Sequence, residues 1–313
     1  MTHPIVIQTT EMMEYRMVEQ LRRRKVDSSL YALGGEWTAQ AFKKWDEESP
    51  SPWDITHGPN RDHYGGERCV VDLGPGSGQP CLAATKVILD HIHEIVLVDV
   101  SPEMLSMAQD YLHRNTQAAI TCIIADFLQD AAALDAVLKG FPRPRLFLCL
   151  GRTVGNFDQC YVLQTLRSYL REDDHLLVDV GLYPPKHTED FLKDLANRYM
   201  GAINFLLFGL HFLAACDAEP ASRYTSASVG EDDEDPATQI IRVFYRFPKN
   251  TVLTVGKEKV IFKEGERLQI LESRWFLADT INHHLKKYGL GVVTSQHFEK
   301  YGLFHRLFLC RRM

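Results

Sequence analysis

The sequence feature that most constrains the fold is an alternation of short apolar segments with longer amphipathic segments between residues 67 and 180. This alternation is typical of βαβ units, in which parallel strands alternate with helices that cover the sheet. We therefore predict an α/β fold with a parallel sheet at its centre. The predicted strands are Arg68–Leu73, Glu94–Val100, Ala119–Ile124, Arg145–Leu150 and His175–Val180.

Helix signals are clearest after the second predicted strand. Ser101 is a favourable N-cap residue, Pro102 suits the first helical position, and Glu103 complements the positive end of the helix dipole. Together they predict a helix that starts at Ser101 and runs to about Arg114.

The C-terminal segment has a different pattern. A predicted helix over Ala278–Tyr288 precedes two predicted strands, Gly291–Phe298 and Phe304–Cys310, which are joined by a tight turn. We therefore expect an antiparallel hairpin to close the otherwise parallel sheet. Two regions, residues 1–66 and 184–275, lie outside this pattern.

Composition limits the classes of function. The 313 residues carry a formal net charge of -6, so we expect no nucleic-acid partner, because such proteins usually present a basic surface. The longest apolar run, residues 203–216, is interrupted by Asn204, Gly209 and His211, so we expect no membrane partner. The cysteines are scattered without CxxC spacing, which is typical of buried reduced thiols and predicts a cytoplasmic protein.

A glycine-rich turn, Gly74-Pro75-Gly76-Ser77-Gly78, follows the first predicted strand, and Asp72 precedes its first glycine by two positions. Side chains at these glycines would prevent a ligand from approaching the backbone, and some positions in such turns require a positive φ angle. Alone, the turn could also be a plain connection between a strand and a helix. Its interpretation therefore depends on the strands beside it.

Acidic residues follow the next two predicted strands. Asp99 ends the second strand, where a carboxylate can accept hydrogen bonds from ribose hydroxyls. Asp126 and Phe127 follow the third strand, where a carboxylate and an aromatic ring suit an adenine. Because the carboxyl ends of parallel strands meet at one edge of a sheet, these residues predict a site for a nucleoside-containing cofactor.

Two cofactors fit such a turn, a dinucleotide and S-adenosylmethionine (SAM). The glycine spacing differs from GxGxxG, and Asp72 suits the cationic methionyl end of SAM. The C-terminal hairpin is also common in SAM enzymes and differs from the all-parallel sheet of nicotinamide-binding domains. We therefore predict SAM as cofactor and S-adenosylhomocysteine (SAH) as product. We predict no metal, because the histidines lack metal-binding spacing.

The segment after the fourth predicted strand, Leu148–Phe157, resembles the Leu-Gly-x-Thr-Ile-Gly-Asn-Phe motif of the histidine-specific, ergothioneine-pathway type of SAM-dependent N-methyltransferase. Val98–Leu105 and residues 125–127 are also similar to that family's pattern. The resemblance implies a class I SAM-methyltransferase, Rossmann-like sheet with an antiparallel C-terminal hairpin, plus a smaller α+β accessory domain that binds the substrate. The implied divisions are 1–66 and 184–275 for the accessory domain, and 67–183 and 276–313 for the core.

The resemblance also implies roles for individual residues. The implied donor contacts are Gly74, Asp99, Asp126 and Phe127, and the implied amino-acid contacts are Gly151, Asn156 and Tyr31. Together with the glycine turn, this gives the predicted cofactor-binding residues Asp72, Gly74, Gly76, Gly78, Asp99, Asp126, Phe127 and Gly151.

The chain departs from the family where the substrate is held. Where the family has a glutamate and a serine that bind an imidazole, this chain has Leu271 and Ser273, and Pro80 replaces a lysine after the glycine turn. An imidazole would lose its charged partner. We therefore expect the acceptor to be an amino acid related to histidine, or an amine-bearing secondary metabolite.

Methyl transfer to an amine needs an aligned, unprotonated nitrogen, so a carboxamide, hydroxyl or carboxylate is expected beside it. Our candidates for catalysis are Asn156 and Tyr31, and those for substrate binding are Tyr31, Gly151, Arg152, Asn156, Glu272 and Ser273. Each has an alternative role. Asn156 could cap the following helix, Tyr31 could be a core aromatic, and Glu272 and Ser273 could lie at the surface. Arg152 could bind a substrate carboxylate or pair with a neighbouring acid.

The sequence thus predicts a cytoplasmic, SAM-dependent N-methyltransferase of a small amino-acid-like or secondary-metabolite acceptor, acting as a monomer or homodimer. O- or C-methylation of a small metabolite is the first alternative. The second is a non-catalytic SAM-binding regulatory subunit, against which the intact glycines and acidic residues argue.

Overall fold

The computed structural model describes residues 3–27, 68–186, 188–199, 222–233, 235–300 and 303–313. An eight-stranded sheet lies at its centre, in the order β1-β4-β3-β2-β5-β6-β13-β12. Its strands are β1 (Ile5–Val6), β2 (Arg68–Leu73), β3 (Ile92–Asp99), β4 (Ala119–Ile124), β5 (Arg145–Cys149), β6 (His175–Leu182), β12 (Leu290–Lys300) and β13 (Leu303–Arg312).

Strands β1 to β6 pair in parallel, whereas β13 is antiparallel to both β6 and β12. The five predicted parallel strands and the C-terminal hairpin are therefore confirmed. The strand order reverses between β2 and β5, which lie side by side although β3 and β4 separate them in the chain. In open α/β sheets such a reversal creates a crevice at the carboxyl ends of the two strands, and ligands bind there.

Helices cover both faces of the sheet. They are α1 (Thr10–Arg22), α2 (Gln79–Thr85), α3 (Pro102–Asn115), α4 (Ala131–Leu138), α5 (Gln159–Tyr169) and α6 (Ala278–Lys287), and residues 188–199 are also helical. The predicted cap of α3 is confirmed, because the Met104 N–H donates to Ser101 Oγ at 3.2 Å.

Strand β2 shows why the sheet is stable. All six of its residues are buried. Successive side chains point to opposite faces, so Val71 packs in a cluster with α5 and α6, whereas Val70 packs with α2 and α3. A strand buried on both faces reads as a continuous apolar run, which is why Asp72 stands out within it.

Two smaller sheets accompany the large one. They contain β7 (Thr225–Glu231), β8 (Gln239–Arg246), β9 (Thr251–Val255), β10 (Glu258–Phe262) and β11 (Arg267–Trp275), paired in the orders β11-β8-β7 and β10-β9. Helix α1 contributes Met17, Val18 and Leu21 to an apolar cluster with side chains of these strands, including Tyr245 and Phe262. A helix from the N-terminal segment thus packs on strands that follow β6.

Candidate donor and acceptor site

The glycine turn lies at the carboxyl end of β2, in the crevice. Gly74 and Gly76 have φ angles of 76° and 56°, and a Cβ atom on either would meet open space. Gly78 has a φ of 80°, and its Cβ would lie 3.0 Å from the Ala108 carbonyl oxygen of α3. The first two glycines thus leave room for a ligand, and the third allows α3 to pack closely against the turn.

Asp72 lies directly before this turn and is only 2% exposed. Burial raises the pKa of its carboxyl to about 7, and the Cys81 thiol is its hydrogen-bond partner. Its Oδ2 atom has no hydrogen-bond partner within the described parts of the chain. A buried carboxylate oxygen without a partner is costly, so a cationic ligand group would complete this site.

Asp99 ends the neighbouring strand β3. One of its carboxylate oxygens accepts the Ser101 N–H at 2.9 Å. Burial raises the pKa of Asp99 to about 7, and the charge of Asp126 acts in the same direction. Because β2 and β3 pair in parallel, with Asp72 opposite Leu97, the Asp99 residue lies at the same sheet edge as Asp72.

Asp126 and Phe127 follow β4. The Leu128 and Gln129 N–H groups donate to Asp126 Oδ1 at 2.9 Å and 3.0 Å, which fixes the direction of the carboxylate. Burial raises the pKa of Asp126, although these hydrogen bonds and the charge of Arg16 act against it. Phe127 is buried and packs edge-on against Phe157, with ring centroids 5.9 Å apart.

A cavity of about 640 Å³ opens beside Asp126. Its walls come from α1 and from the residues that follow β3 and β4, including Val100 and Gln129. The cavity gives a ligand at the ends of β3 and β4 access to open space next to α1.

The second turn of the crevice follows β5. Gly151 and Arg152 both have left-handed φ angles, 71° and 63°, and Thr153–Asn156 form a 3₁₀ turn. Arg152 is not a glycine, so its conformation needs support from outside the turn. Asp179, which is fully buried on β6, provides it by accepting the Arg152 N–H at 3.0 Å.

Strand β11 packs closely against this second turn. A Cβ atom on Gly155 would lie 2.7 Å from the Arg274 carbonyl oxygen, so only glycine fits. The Arg274 guanidinium donates to the Phe157 carbonyl oxygen at 2.7 Å. Asn156 therefore lies between two residues that β11 contacts directly.

The Arg152 guanidinium lies over the ring of Trp275, 5.3 Å from its centroid. Within the described parts of the chain, no carboxylate forms a salt bridge with this guanidinium. Trp275 is fully buried and packs on Gly181 of β6. The guanidinium thus has a defined aromatic support while its N–H donors face no acid among these residues.

Ser273 and Glu272 point to different partners. Ser273 is buried, and its hydroxyl hydrogen-bonds to the Tyr199 hydroxyl at 2.7 Å. The Glu272 carboxylate is bound by basic and amide groups, namely Lys25, Arg242, Arg274 and Gln269. Burial opposes ionisation of Glu272, but Arg274 and Lys25 outweigh it and lower the pKa of the carboxyl.

The structure therefore brings most of the predicted residues to one edge of the sheet. The donor candidates Asp72, Gly74, Gly76, Gly78, Asp99, Asp126 and Phe127 follow three adjacent strands, and Gly151, Arg152 and Asn156 follow the fourth. Tyr31 lies outside the described residues. Sequence reasoning did not find Asp179, Arg274 or Trp275. A lone aspartate in the apolar run of β6 was the one available signal for Asp179.

The strand order, the antiparallel β13 and the glycine turn flanked by three acidic strand ends define a class I SAM-dependent methyltransferase. The family model described as "Histidine-specific methyltransferase, SAM-dependent" matches residues 60–311. The chain belongs to this family. It is thus an enzyme that uses SAM as methyl donor.

Many solved structures are similar to this chain, and the two described next share few identical residues with it. A SAM-dependent methyltransferase from Clostridium acetobutylicum is 14% identical, with 97% of this chain and 99% of that chain covered and a TM-score of 0.40. The 1,6-didemethyltoxoflavin-N1-methyltransferase of Burkholderia thailandensis, with bound 1,6-didemethyltoxoflavin and SAH, is 13% identical, with 88% of each chain covered and a TM-score of 0.42. No curated protein matches the chain.

The described residues contain no group of three or more histidine, cysteine, aspartate or glutamate side chains that could hold a metal ion. None of the helices in the same parts of the chain is both long and apolar enough to cross a membrane.

Proposed function

We propose that this enzyme methylates a nitrogen atom of a small amino-acid-like acceptor that is held at the turn formed by residues 151–156. The observation that carries the proposal is the adjacency of the two turns. Strands β2 and β5 pair in parallel, with Asp72 opposite Leu148, so the glycine turn and the acceptor turn end at the same crevice. Donor and acceptor can therefore meet there, and such alignment supplies most of the acceleration in a methyl transfer.

For the donor, we assign one contact to each strand end. Asp72 binds the methionyl ammonium, Asp99 the ribose hydroxyls, and Asp126 the adenine amine. The unpartnered Oδ2 of Asp72 and the open space over Gly74 support this assignment. When bound, SAM supplies an electrophilic methyl group on a sulfonium.

For the acceptor, we assign the carboxylate to Arg152. Its guanidinium lies over Trp275 and has no acidic partner among the described residues, which leaves planar donors for a bidentate contact. We assign the amino group to Gly151 and Asn156, for which the family resemblance implies contacts with the amino acid. Asn156 can accept a hydrogen bond from the nitrogen without adding a charge, which favours the unprotonated amine that transfer requires.

Histidine is a poor fit to the acceptor end of the site. Leu271 is buried in the apolar cluster with α1, where the family pattern has a glutamate for the imidazole. Glu272 is already bound by basic side chains, and Ser273 is hydrogen-bonded to Tyr199. We therefore propose an acceptor that shares the amino and carboxylate groups of histidine but carries a different side chain.

This hypothesis also assigns roles to parts of the protein away from the sheet edge. We propose that Tyr31 faces the substrate, and that α1 and the two small sheets belong to an accessory unit built from residues 1–66 and 184–275. We also propose a small-molecule acceptor from secondary metabolism and a cytoplasmic enzyme with no nucleic-acid or membrane partner, acting as a monomer or homodimer.

A methyl-transfer screen tests the proposed acceptor. The enzyme and SAM are incubated with free amino acids, including histidine, and with amine metabolites, and the products are read by mass shift and SAH formation. We expect N-methylation of a carboxylate-bearing amine, with the KM for that acceptor raised in an Arg152→Met variant. Arg114→Met is the matched control, because the Arg114 side chain is exposed and bonds only to its own helix.

Each other result contradicts part of the proposal. Turnover of hydroxyl or carbon acceptors alone would refute N-methylation. Turnover of histidine in preference to other amino acids would refute the argument from Leu271. An unchanged KM in Arg152→Met would refute the proposed contact between Arg152 and the substrate carboxylate.

A further inference from the structure

Helix α1 touches two parts of the molecule that otherwise lie apart. One side of the helix packs in the apolar cluster of the small sheets through Met17, Val18 and Leu21. The other side carries Arg16, which reaches the segment that follows β4. The helix is also tied to β4 at its start, since the Ile7 and Gln8 N–H groups both donate to the Ile124 carbonyl oxygen at 3.0 Å.

Arg16 binds Asp130 with two nitrogens. Its Nη2 lies 2.5 Å from Asp130 Oδ1, and its Nη1 lies 3.4 Å from Asp130 Oδ2. The Asp130 side chain is 5% exposed and that of Arg16 is 26% exposed, so the pair is largely shielded from water. A shielded, two-nitrogen contact to a carboxylate is among the stronger side-chain interactions.

This ion pair acts directly on the adenine candidate Asp126. Asp130 Oδ2 accepts the Asp126 N–H at 2.9 Å, and the Asp130 N–H donates to the Asp126 carbonyl oxygen at 2.8 Å. Arg16 Nη1 also lies 3.8 Å from Asp126 Oδ2. The position of the Asp126 backbone and the charge of its carboxylate therefore both depend on a side chain of α1.

We propose that Arg16 is a positioning residue for the donor, and that it couples SAM binding to the docking of α1 on the small sheets. Arg16 holds the segment 126–130 in the shape that presents the Asp126 carboxylate, and its positive charge favours the ionised form of that carboxylate. By thermodynamic reciprocity, a donor that binds Asp126 strengthens the attachment of α1. The inference rests on the donor contact proposed for Asp126.

Calorimetry with SAH tests the first half of the inference. SAH is a suitable probe because it carries the same nucleoside as SAM but has no methyl group to transfer, so its affinity is measured without turnover. We expect Arg16→Met to weaken SAH binding about tenfold, the order expected when a charge-assisted hydrogen bond is lost. Arg16→Lys should recover part of this loss, because it keeps the charge but not the two-nitrogen geometry.

Two other variants separate the possible explanations. Arg114→Met is the matched control, because the Arg114 side chain is exposed on α3 and, among the described residues, donates to the Asp110 carbonyl oxygen of its own helix. Asp126→Asn tests the donor contact itself. If Asp126→Asn binds SAH as the unchanged protein does, the proposed donor contact fails. If Asp126→Asn weakens binding but Arg16→Met does not, or if Arg114→Met weakens it equally, the role of Arg16 is refuted.

Hydrogen exchange tests the second half, with a readout independent of activity. SAH should slow amide exchange in α1 of the wild-type protein and of Arg114→Met, and this effect should shrink in Arg16→Met. A merely structural role for Arg16 would speed exchange in α1 equally with and without SAH. Protection of α1 that is unaffected by SAH in the unchanged protein would overturn the coupling.

Discussion

Asp72 leads to a quantitative prediction about proton release. Burial raises the pKa of this carboxyl to about 7 in the donor-free protein. A carboxyl with this pKa is protonated in about half of the molecules at pH 7, in about nine-tenths at pH 6 and in about one-tenth at pH 8. A ligand ammonium placed against it favours the ionised form and lowers its pKa well below neutrality. Binding of SAH should therefore release about half a proton from Asp72 at pH 7.

Titration calorimetry in buffers with different enthalpies of ionisation measures this quantity. The released fraction should rise toward one proton as the pH falls to 6 and should fade by pH 8, so SAH affinity should increase with pH across this range. Asp72→Asn should abolish the proton release that comes from Asp72, and it should weaken SAH binding. Asp110→Asn is the matched control, because Asp110 is exposed on α3.

Asp99 titrates in the same range and interacts with Asp72, so the total release belongs to both groups. Measuring proton release in Asp72→Asn and in Asp99→Asn shows how much of the total each carboxyl contributes. The prediction is wrong if the wild-type protein releases no protons when it binds SAH at pH 6 to 7. It is also wrong if Asp72→Asn releases as many protons as the Asp110→Asn control.

Three further predictions concern stability and fit. Because the pKa of Asp72 is raised from 3.8 to about 7 in the folded state, the folded state binds more protons between these values. The free energy of unfolding of the donor-free protein should therefore fall as pH rises through this window, by at most about 4 kcal/mol from this group, and urea titrations of Asp72→Asn should lack that share. Gly155→Ala places a methyl group 2.7 Å from the Arg274 carbonyl oxygen. Thermal unfolding should therefore show a destabilisation of about 1–3 kcal/mol, while the affinity for SAH stays within twofold. An unchanged melting temperature would contradict the packing argument. Asp174→Ala leaves the guanidinium of Arg145, which is 1% exposed, without its carboxylate partner. Urea unfolding should show that the free energy of unfolding falls by about 3–5 kcal/mol. A fall below about 1 kcal/mol would refute a structural role for this pair.

Short-range signals account for the elements that were predicted correctly. The apolar runs of β2 to β6 and the Ser101 cap act within a few residues, and so does the periodicity of α6. The prediction ended α6 at Tyr288, and the helix ends one residue earlier, at Lys287. Such shifts reflect the weak sequence signals at element ends. Strand β1 was not predicted, because two residues carry no measurable periodicity and its pairing with β4 spans more than a hundred residues of chain.

The candidate site divides in the same way. The meeting of the donor candidates at one place was predictable because each of them ends or directly follows a strand, and parallel strands bring their carboxyl ends to one edge. Asp179 and Trp275 were not, since their contacts with Arg152 join β6, β11 and the turn after β5. Nothing near these residues in the chain indicates that pairing.

Glu272 illustrates the limit most clearly. Its sequence position made it a candidate for binding the substrate, yet its carboxylate is held by Lys25 from the N-terminal segment and by Arg242 from β8. Local residue patterns were sufficient for the strands, the glycine turn and the methyl donor, because propensity, periodicity and backbone geometry operate over a few neighbouring positions. Which polar side chains remain available to an acceptor was decided only when distant segments packed together, because ion pairs and hydrogen bonds depend on distance in space.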